Sequence, residues 1–281
     1  MKKILLGLFV ASLTVSVNAQ ITTPQPSPLS KLEQKVGLTD VTVEYSRPGA
    51  KGRKIFGDLV PFGKLWRTGA NKNTTVTFSE DVTIDGKTLK KGSYAIFTKP
   101  EANSWEVMFY SDTNNWGTPR KWDDSKVALT TTAKVEKMPM SIETFTITID
   151  DLTNSSAVLG ILWENSYAGI KFNVPTDKAV ESSISAVMAG PAPNDYYAAA
   201  SYYMDEGKDI QKAMMWIDKA VEMTKSEPRF WYLRKQSLIH AKAGDKKGAI
   251  KAAKASLMHA EKAKNADYVK MNKESLKEWG A

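Results

Sequence analysis

The sequence predicts an α+β protein in which an antiparallel β-sandwich or jelly-roll-like domain precedes a domain of α-helical hairpins. Between residues 20 and 175, short runs of alternating apolar residues are separated by turn residues, which is typical of half-buried strands. From residue 176 to residue 281 the apolar period becomes that of amphipathic helices. No helical pattern separates the strands, so we do not expect a parallel sheet.

Residues 1–19 are typical of a cleavable signal peptide. Lys2 and Lys3 precede the apolar run Ile4–Val17, and small residues lead to a cleavage point after Ala19. The alternative is a short membrane anchor, but a spanning helix needs about 20 apolar residues, and no later run is long enough either. We therefore expect an exported chain, soluble in the periplasm or outside the cell, with no transmembrane segment after cleavage.

Several short strands are predicted within residues 20–175. They cover residues 41–46, 74–79, 93–98, 105–111, 141–149, 157–163 and 167–174. Asp85-Gly86 lies between Val-Thr-Ile and Lys-Thr-Leu, and this dipeptide predicts a two-residue hairpin because glycine adopts the positive φ that such a turn requires.

The second domain is predicted to contain six helices. They cover residues 177–189, 194–206, 209–224, 228–243, 245–262 and 266–279. Asp209 is the expected N-cap of the third helix. Gly207 and Gly244 follow two of the helices, as a C′ glycine does.

Small residues recur in the two central hairpins with the same spacing, 36 residues apart. They are Ser201, Ala213 and Ala220 in the first hairpin, and Ser237, Ala249 and Ser256 in the second. This spacing resembles the tetratricopeptide pattern, in which small residues let paired helices approach closely. An ordinary helical bundle is the alternative, since small residues are common at helix contacts.

Composition excludes several kinds of chemistry. The chain has no cysteine, which removes disulfides and thiolate catalysis. Its two histidines, His240 and His259, lie in the helical region, so residues 20–175 cannot form a Ser-His-Asp triad or a histidine-rich zinc site. There is no nucleotide-binding motif, and we expect no cofactor. The net charge of +8 is spread thinly, which does not favour a nucleic-acid partner.

The segment from residue 46 to residue 75, hereafter the 46–75 segment, fits neither the helical nor the strand period. A connection this long inside a compact domain is usually functional or disordered. Its many apolar residues argue against disorder. It holds three of the four arginines found in residues 20–175, namely Arg47, Arg53 and Arg67. Arginine is favoured over lysine where a planar fork must hold a carboxylate, a phosphate or carbonyl groups.

This segment therefore predicts a pocket for an anionic or sugar-like ligand, with Trp66 as a flat apolar surface. The candidate binding residues are Arg47, Lys51, Arg53, Trp66, Arg67, Thr68, Asn71, Trp116 and Glu164. The alternative is that the arginines anchor a long loop by bonding backbone carbonyls and internal carboxylates. Sequence alone leaves both interpretations open.

The string from Tyr45 to Thr74, which contains YSRP, KGR, IFG, LVP and WRTGAN, closely resembles the family known as domain of unknown function 2911. Further pieces of the resemblance are DVTIDGKTLKKGSYAIFT, Trp116-Gly117 and the LWE that ends at Glu164. The likeness runs from about Pro26 to Pro175. It implies an exported bacterial β domain, in some members followed by tetratricopeptide-like helices, and it implies no activity. VALTTT after KWDDSK departs from the more regular strand expected there.

The leading functional hypothesis is a non-enzymatic exported protein that binds a ligand at the 46–75 segment and a protein or peptide partner through its helical tail. A second hypothesis is a carboxylate-dependent hydrolase of envelope polysaccharide, which needs two facing acidic side chains. The available acids are Asp123, Asp124, Glu143 and Glu164. A third is a structural envelope scaffold, in which the three arginines are buried and fully paired.

Overall fold

The computed structural model describes residues 23–188 and 190–281, so the predicted signal peptide lies outside the described residues. The chain divides into two compact units, Met1–Pro175 and Thr176–Ala281. The first contains a nine-stranded antiparallel sheet and the second contains six helices. The predicted α+β class is confirmed.

The strands of the first unit form one hydrogen-bonded succession. Their bounds are β1 Leu29–Val36, β2 Thr39–Ser46, β3 Ala70–Phe78, β4 Val82–Ile84, β5 Lys87–Leu89, β6 Gly92–Pro100, β7 Ser104–Tyr110, β8 Val127–Asp150 and β9 Ser156–Asn173. The order across the sheet is β1-β2-β3-β6-β7-β8-β9-β4-β5. Most neighbours are consecutive in the chain, so the sheet is largely a meander.

Strand β8 belongs to two ladders. Its residues 127–134 pair with β7 and its residues 135–150 pair with β9. A single core contains side chains from both parts, including Val43 of β2, Phe109 of β7 and Phe145 of β8. Alternate residues of β2 are buried, as expected for a strand with one face against a core.

The structure differs from the sequence prediction in three strands. Strand β9 is continuous where two strands were expected, and its ladder with β8 is irregular around Glu164, which has a φ of 53°. Strand β8 begins at Val127, so VALTTT is part of a strand. Strand β1 was not predicted because it is an edge strand in which only Val36 is fully buried, leaving little apolar alternation in its sequence.

The hairpin at Asp85-Gly86 is confirmed. Strands β4 and β5 pair with Ile84 opposite Lys87. Asp85 and Gly86 have φ values of 48° and 74°, the two positive angles of a type I′ turn. The dipeptide therefore fixes the register of this pair.

The helices of the second unit lie close to their predicted positions. Their bounds are α1 Thr176–Val187, α2 Pro193–Asp205, α3 Ile210–Met223, α4 Phe230–Lys242, α5 Lys246–Lys262 and α6 Ala266–Glu278. Asp209 caps α3 by accepting hydrogen bonds from the backbone N–H groups of Gln211 and Lys212. Gly207 and Gly244 both have positive φ, as expected after a helix end.

Small residues occupy the contacts between these helices. Five of the six small residues in the predicted pattern are fully buried, namely Ala213, Ala220, Ser237, Ala249 and Ser256, which allows close helix approach, whereas Ser201 is half-buried.

The imidazole of His240 in α4 contacts two carboxylates, one from α3 and one from the residue that precedes α5. Its Nε2 lies 2.8 Å from Oδ1 of Asp218 in α3, and its Nδ1 lies 2.7 Å from Oδ2 of Asp245. Asp245 is also the N-cap of α5, accepting from the N–H of Gly248. Burial by itself lowers the pKa of His240, but the hydrogen bonds to the two carboxylates outweigh burial and raise the pKa above its ordinary value.

Candidate functional site

The 46–75 segment is held by apolar burial. Ile55, Phe56 and Val60 are buried in the core of the β unit. Trp66 forms an isolated bridge with Thr98 of β6, and its ring stacks on Trp163 with centroids 6.0 Å apart. Packing of Phe56 and Trp66 against the core holds this segment on the β unit although its sequence has no regular period.

Arg47 and Arg53 anchor this segment. The Nε of Arg47 donates to the carbonyl of Phe145 at 3.1 Å, and its Nη2 donates to Oγ1 of Thr146 at 2.8 Å. Arg53 donates to two carbonyls of its own turn, from Nε at 2.9 Å and from Nη2 at 2.7 Å. For these two arginines the geometry matches the anchoring interpretation.

Arg67 differs from the other two arginines. Its Nε is buried and has no hydrogen-bond partner, and its guanidinium forms no hydrogen bond or ion pair with any residue in the described ranges. Its Nη1 lies 2.9 Å from the point where a Cβ on Gly117 would stand. The absence of a side chain at residue 117 therefore makes room for the guanidinium.

Arg67 lies on the wall of a hollow of about 450 Å³, hereafter the cationic hollow. Its lining includes Lys51, Arg53, Trp66, Arg67, Thr118 and Trp163. Within the described part of the chain, no aspartate or glutamate lines it. A carboxylate does lie near its rim, since Oε1 of Glu143 accepts the backbone N–H of Lys51 at 2.8 Å. The hollow thus combines three cations with two indole rings.

A second hollow, of about 490 Å³, contains Trp116 and is hereafter the Trp116 hollow. Pro24, Pro28, Leu29, Asn71 and Lys72 line it with Trp116. The side chain of Trp116 is 75% exposed. The amide of Asn71 donates to the carbonyl of Ser27 at 3.1 Å, so it serves to hold the preceding chain segment.

Asn73 holds the chain segment on either side of Trp116, and sequence reasoning missed it. Its Nδ2 donates to the carbonyl of Gly117 at 3.1 Å, and its Oδ1 accepts the N–H of Asn115 at 3.0 Å. The side chain is buried. Only the nearness of Asn73 to the Trp-Arg string in the chain could have drawn attention to it, since its partners lie more than forty residues away.

Thr68 and Glu164 do not line either hollow as described. Thr68 is fully buried, and its hydroxyl donates to Oγ1 of Thr98 at 3.1 Å. Oε2 of Glu164 accepts the backbone N–H of Phe56 at 3.4 Å. Thr68 therefore bonds the 46–75 segment to β6, and Glu164 bonds the same segment to β9.

The family comparison covers the region that forms these hollows. The model of a family described as protein of unknown function, DUF2911, matches residues 27–172, about half of the chain. The chain belongs to the DUF2911 family. No curated protein and no solved structure matches it significantly.

The DUF2911 region includes every charged residue of the cationic hollow and Trp116. Pro24 and Pro26, which also line the hollows, precede it. Both hollows are therefore almost wholly a property of the DUF2911 domain.

The acidic residues that the hydrolase hypothesis requires have local partners. Asp123 accepts from the N–H and hydroxyl of Ser125, and Asp124 accepts from the indole N–H of Trp122. Glu143 and Glu164 accept the backbone N–H groups of Lys51 and Phe56, and neither hollow is lined by a carboxylate from the described residues.

The structure offers neither a metal centre nor a membrane-spanning helix within its described part. Residues 23–188 and 190–281 contain no group of three or more His, Asp or Glu side chains arranged to hold a metal ion. None of the helices in these ranges has the length and apolarity needed to cross a bilayer.

Proposed function

We propose that this protein is an exported, non-enzymatic binding module whose cationic hollow takes a small anionic ligand. The observation that carries the proposal is Arg67, which lines that hollow and whose buried Nε has no hydrogen-bond partner. Export is supported by the signal-like pattern of residues 1–19.

An unpaired buried donor is costly, which is why Arg67 supports binding. Leaving a polar group buried without a partner costs about 1–3 kcal/mol, and more for a charged group. A carboxylate or phosphate oxygen would supply the missing acceptor, and the guanidinium fork suits both groups. Arg47 and Arg53 already have acceptors, so they do not require a ligand.

The charge distribution supports an anion in particular. Lys51, Arg53 and Arg67 line the hollow, and no described carboxylate does. Three cations around one concave space attract anions more strongly than the same charges spread over an open surface, although Glu143 near the rim offsets part of this charge.

We further propose that the helical unit is tetratricopeptide-like and receives a protein or peptide partner. The fully buried small residues at equivalent places in two successive hairpins support this. A photoreactive side chain at exposed Trp231 of α4 must then cross-link a defined envelope protein. The same probe at exposed Leu152 of the β unit must not, and equal labelling from both positions would contradict the proposal.

The arginine side chains themselves can report anion binding. In a nitrogen–proton NMR spectrum of arginine Nε–H groups, titration with acetate and then with inorganic phosphate must shift the Arg67 signal. It must leave the signals of Arg47 and Arg53 almost unchanged, because their Nε–H groups are already bonded. Arg67→Lys identifies the Arg67 signal by its loss.

Arg120→Ala is the matched control, since Arg120 is an arginine of the same unit that lines neither hollow. It must leave the titration of Arg67 unaltered, whereas Arg67→Ala must remove binding. If neither anion shifts the Arg67 signal at millimolar concentration, or if all arginine signals shift equally, the proposal is wrong.

A further inference from the structure

The cationic hollow and the Trp116 hollow lie side by side. In three separate parts of the chain, residues that line one hollow are followed or preceded within two positions by a residue that lines the other. Pro26 and Ser27 line the cationic hollow, and Pro28 lines the other. Ala70 lines the cationic hollow and the next residue, Asn71, lines the Trp116 hollow. Likewise, Thr118 lines the cationic hollow and Trp116 lines the other.

The Trp116 hollow offers a flat apolar surface on which a ring-shaped group could pack. Trp116 is 75% exposed, although an indole is usually mostly covered. Its neighbours Pro28 and Leu29 are apolar, and the Asn71 amide is already bonded to backbone. A flat group with one apolar face could cover the indole while its polar groups remain in water.

One short chain segment, residues 116–118, contributes to both hollows. Gly117 contacts the Arg67 guanidinium, and its carbonyl is held by Asn73. The preceding residue is Trp116, whose Cα lies about 3.8 Å from that of Gly117. The backbone of residue 116 is thus held close to Arg67, which lowers the entropy lost on binding a ligand that touches both side chains.

We propose that the two hollows form one site for an acidic saccharide, with its carboxylate on Arg67 and the apolar face of a sugar ring on Trp116. This rests on the proposed anion binding and adds the class of ligand. A sugar ring has an apolar C–H face for the indole and hydroxyl groups that stay hydrated. A uronic acid adds the planar carboxylate that the guanidinium fork matches.

Three probes separate the two contributions. Digalacturonate carries both ring and carboxylate, digalactose carries only the ring, and acetate carries only the carboxylate. Measured by calorimetry on the purified protein, digalacturonate must bind at least about tenfold more tightly than acetate, a difference of about 1.4 kcal/mol. It must also shift the Arg67 Nε–H signal and quench tryptophan fluorescence.

Two variants test the role of the indole. Trp116→Ala must weaken digalacturonate binding by at least about fivefold, equivalent to about 1 kcal/mol, and leave acetate binding unchanged. Trp116→Phe must restore most of the affinity, because it keeps a flat apolar ring. Thermal unfolding of both variants must match the parent, since the exposed indole contributes little to the core.

The outcomes distinguish this inference from the proposed function. If acetate shifts Arg67 but digalacturonate binds no better, or if Trp116→Ala has no effect on digalacturonate, the saccharide inference is wrong and anion binding stands. If neither acetate nor digalacturonate shifts Arg67, both are wrong. Equal binding of digalactose and digalacturonate contradicts the role given to Arg67.

Discussion

Nη1 of Arg67 lies 2.9 Å from the position that a Cβ of residue 117 would occupy, so the guanidinium packs directly on the backbone of Gly117. Gly117 also has a φ of 94°, a conformation that glycine adopts without steric cost and other residues do not. Residue 117 must therefore be glycine for two reasons, its positive φ and the space that the Arg67 guanidinium occupies.

Gly117→Ala tests this contact. The positive φ alone should cost about 1–2 kcal/mol of stability, and the added methyl group should displace the guanidinium. We expect a lower urea midpoint and a changed Arg67 Nε–H signal. Gly86→Ala is the control, because Gly86 also has positive φ but has open space where its Cβ would stand. It should lose stability and leave the Arg67 signal in place.

Arg47→Ala should mainly lower stability, whereas Arg67→Ala should mainly abolish anion binding. Arg47 donates to Phe145 and Thr146, so its removal should cost about 1.5–3 kcal/mol, as for hydrogen bonds to charged groups. Arg67 has no such bonds, so its removal should cost clearly less and abolish anion binding. Urea unfolding and calorimetry measure the two effects. Equal destabilisation by both changes would assign Arg67 to anchoring.

His240→Gln should show a pH-dependent loss of stability. Because the folded pKa of His240 is raised, its contribution is fully present below its unfolded pKa of about 6.5 and is lost as pH rises through the folded value. The difference in melting temperature between parent and variant should be larger at pH 5.5 than at pH 8.5. A constant difference would show that the two carboxylates do not stabilise the charged imidazole.

Asp245 sets the lowest pH at which the comparison of His240→Gln with the parent protein is informative. Its pKa is lowered by the backbone N–H of Gly248 and then by His240. Its contribution is therefore present above its unfolded pKa and is lost as pH falls through the lower folded value. Measurements kept above about pH 5 leave this carboxylate ionised, which isolates the effect of His240.

Ala249→Leu tests the close approach of the helices. Ala249 of α5 is fully buried, and replacing its methyl group by the isobutyl group of leucine in a packed core costs about 1–3 kcal/mol. Met258→Leu on the same helix is the control, because Met258 is 58% exposed and such surface changes stay within about 0.5 kcal/mol. Far-ultraviolet circular dichroism during thermal unfolding measures both. A tolerated leucine at residue 249 would mean that the contact is loose.

The sequence predicts elements that depend on local chemistry. Asp85-Gly86 adopts its turn, and Asp209 caps α3, because each signal depends only on neighbours in the chain. The division of β9 into two strands was wrong for the opposite reason. Glu164 lies where the ladder between β8 and β9 is irregular, and a residue that looks like a turn can be accommodated inside a paired strand as a bulge.

The roles of the three arginines could not be assigned from sequence. Arg47 and Arg67 occur in the same segment and look equivalent in the chain, but their surroundings come from distant residues. Phe145 supplies an acceptor for Arg47, while Gly117 supplies only space for Arg67. Partners separated by about fifty or more positions are set by tertiary packing, which no local pattern encodes.

Strand β8 has a consequence for how the β unit opens. Its 24 residues run without interruption through the ladder with β7 and the ladder with β9. The two ladders occupy successive parts of β8, and buried side chains from both parts, such as Leu129 and Ile147, belong to one core. Because that core is shared, the amide protons of Leu129 and Ile147 should exchange with deuterium only when the whole unit unfolds, and both should report the same opening free energy.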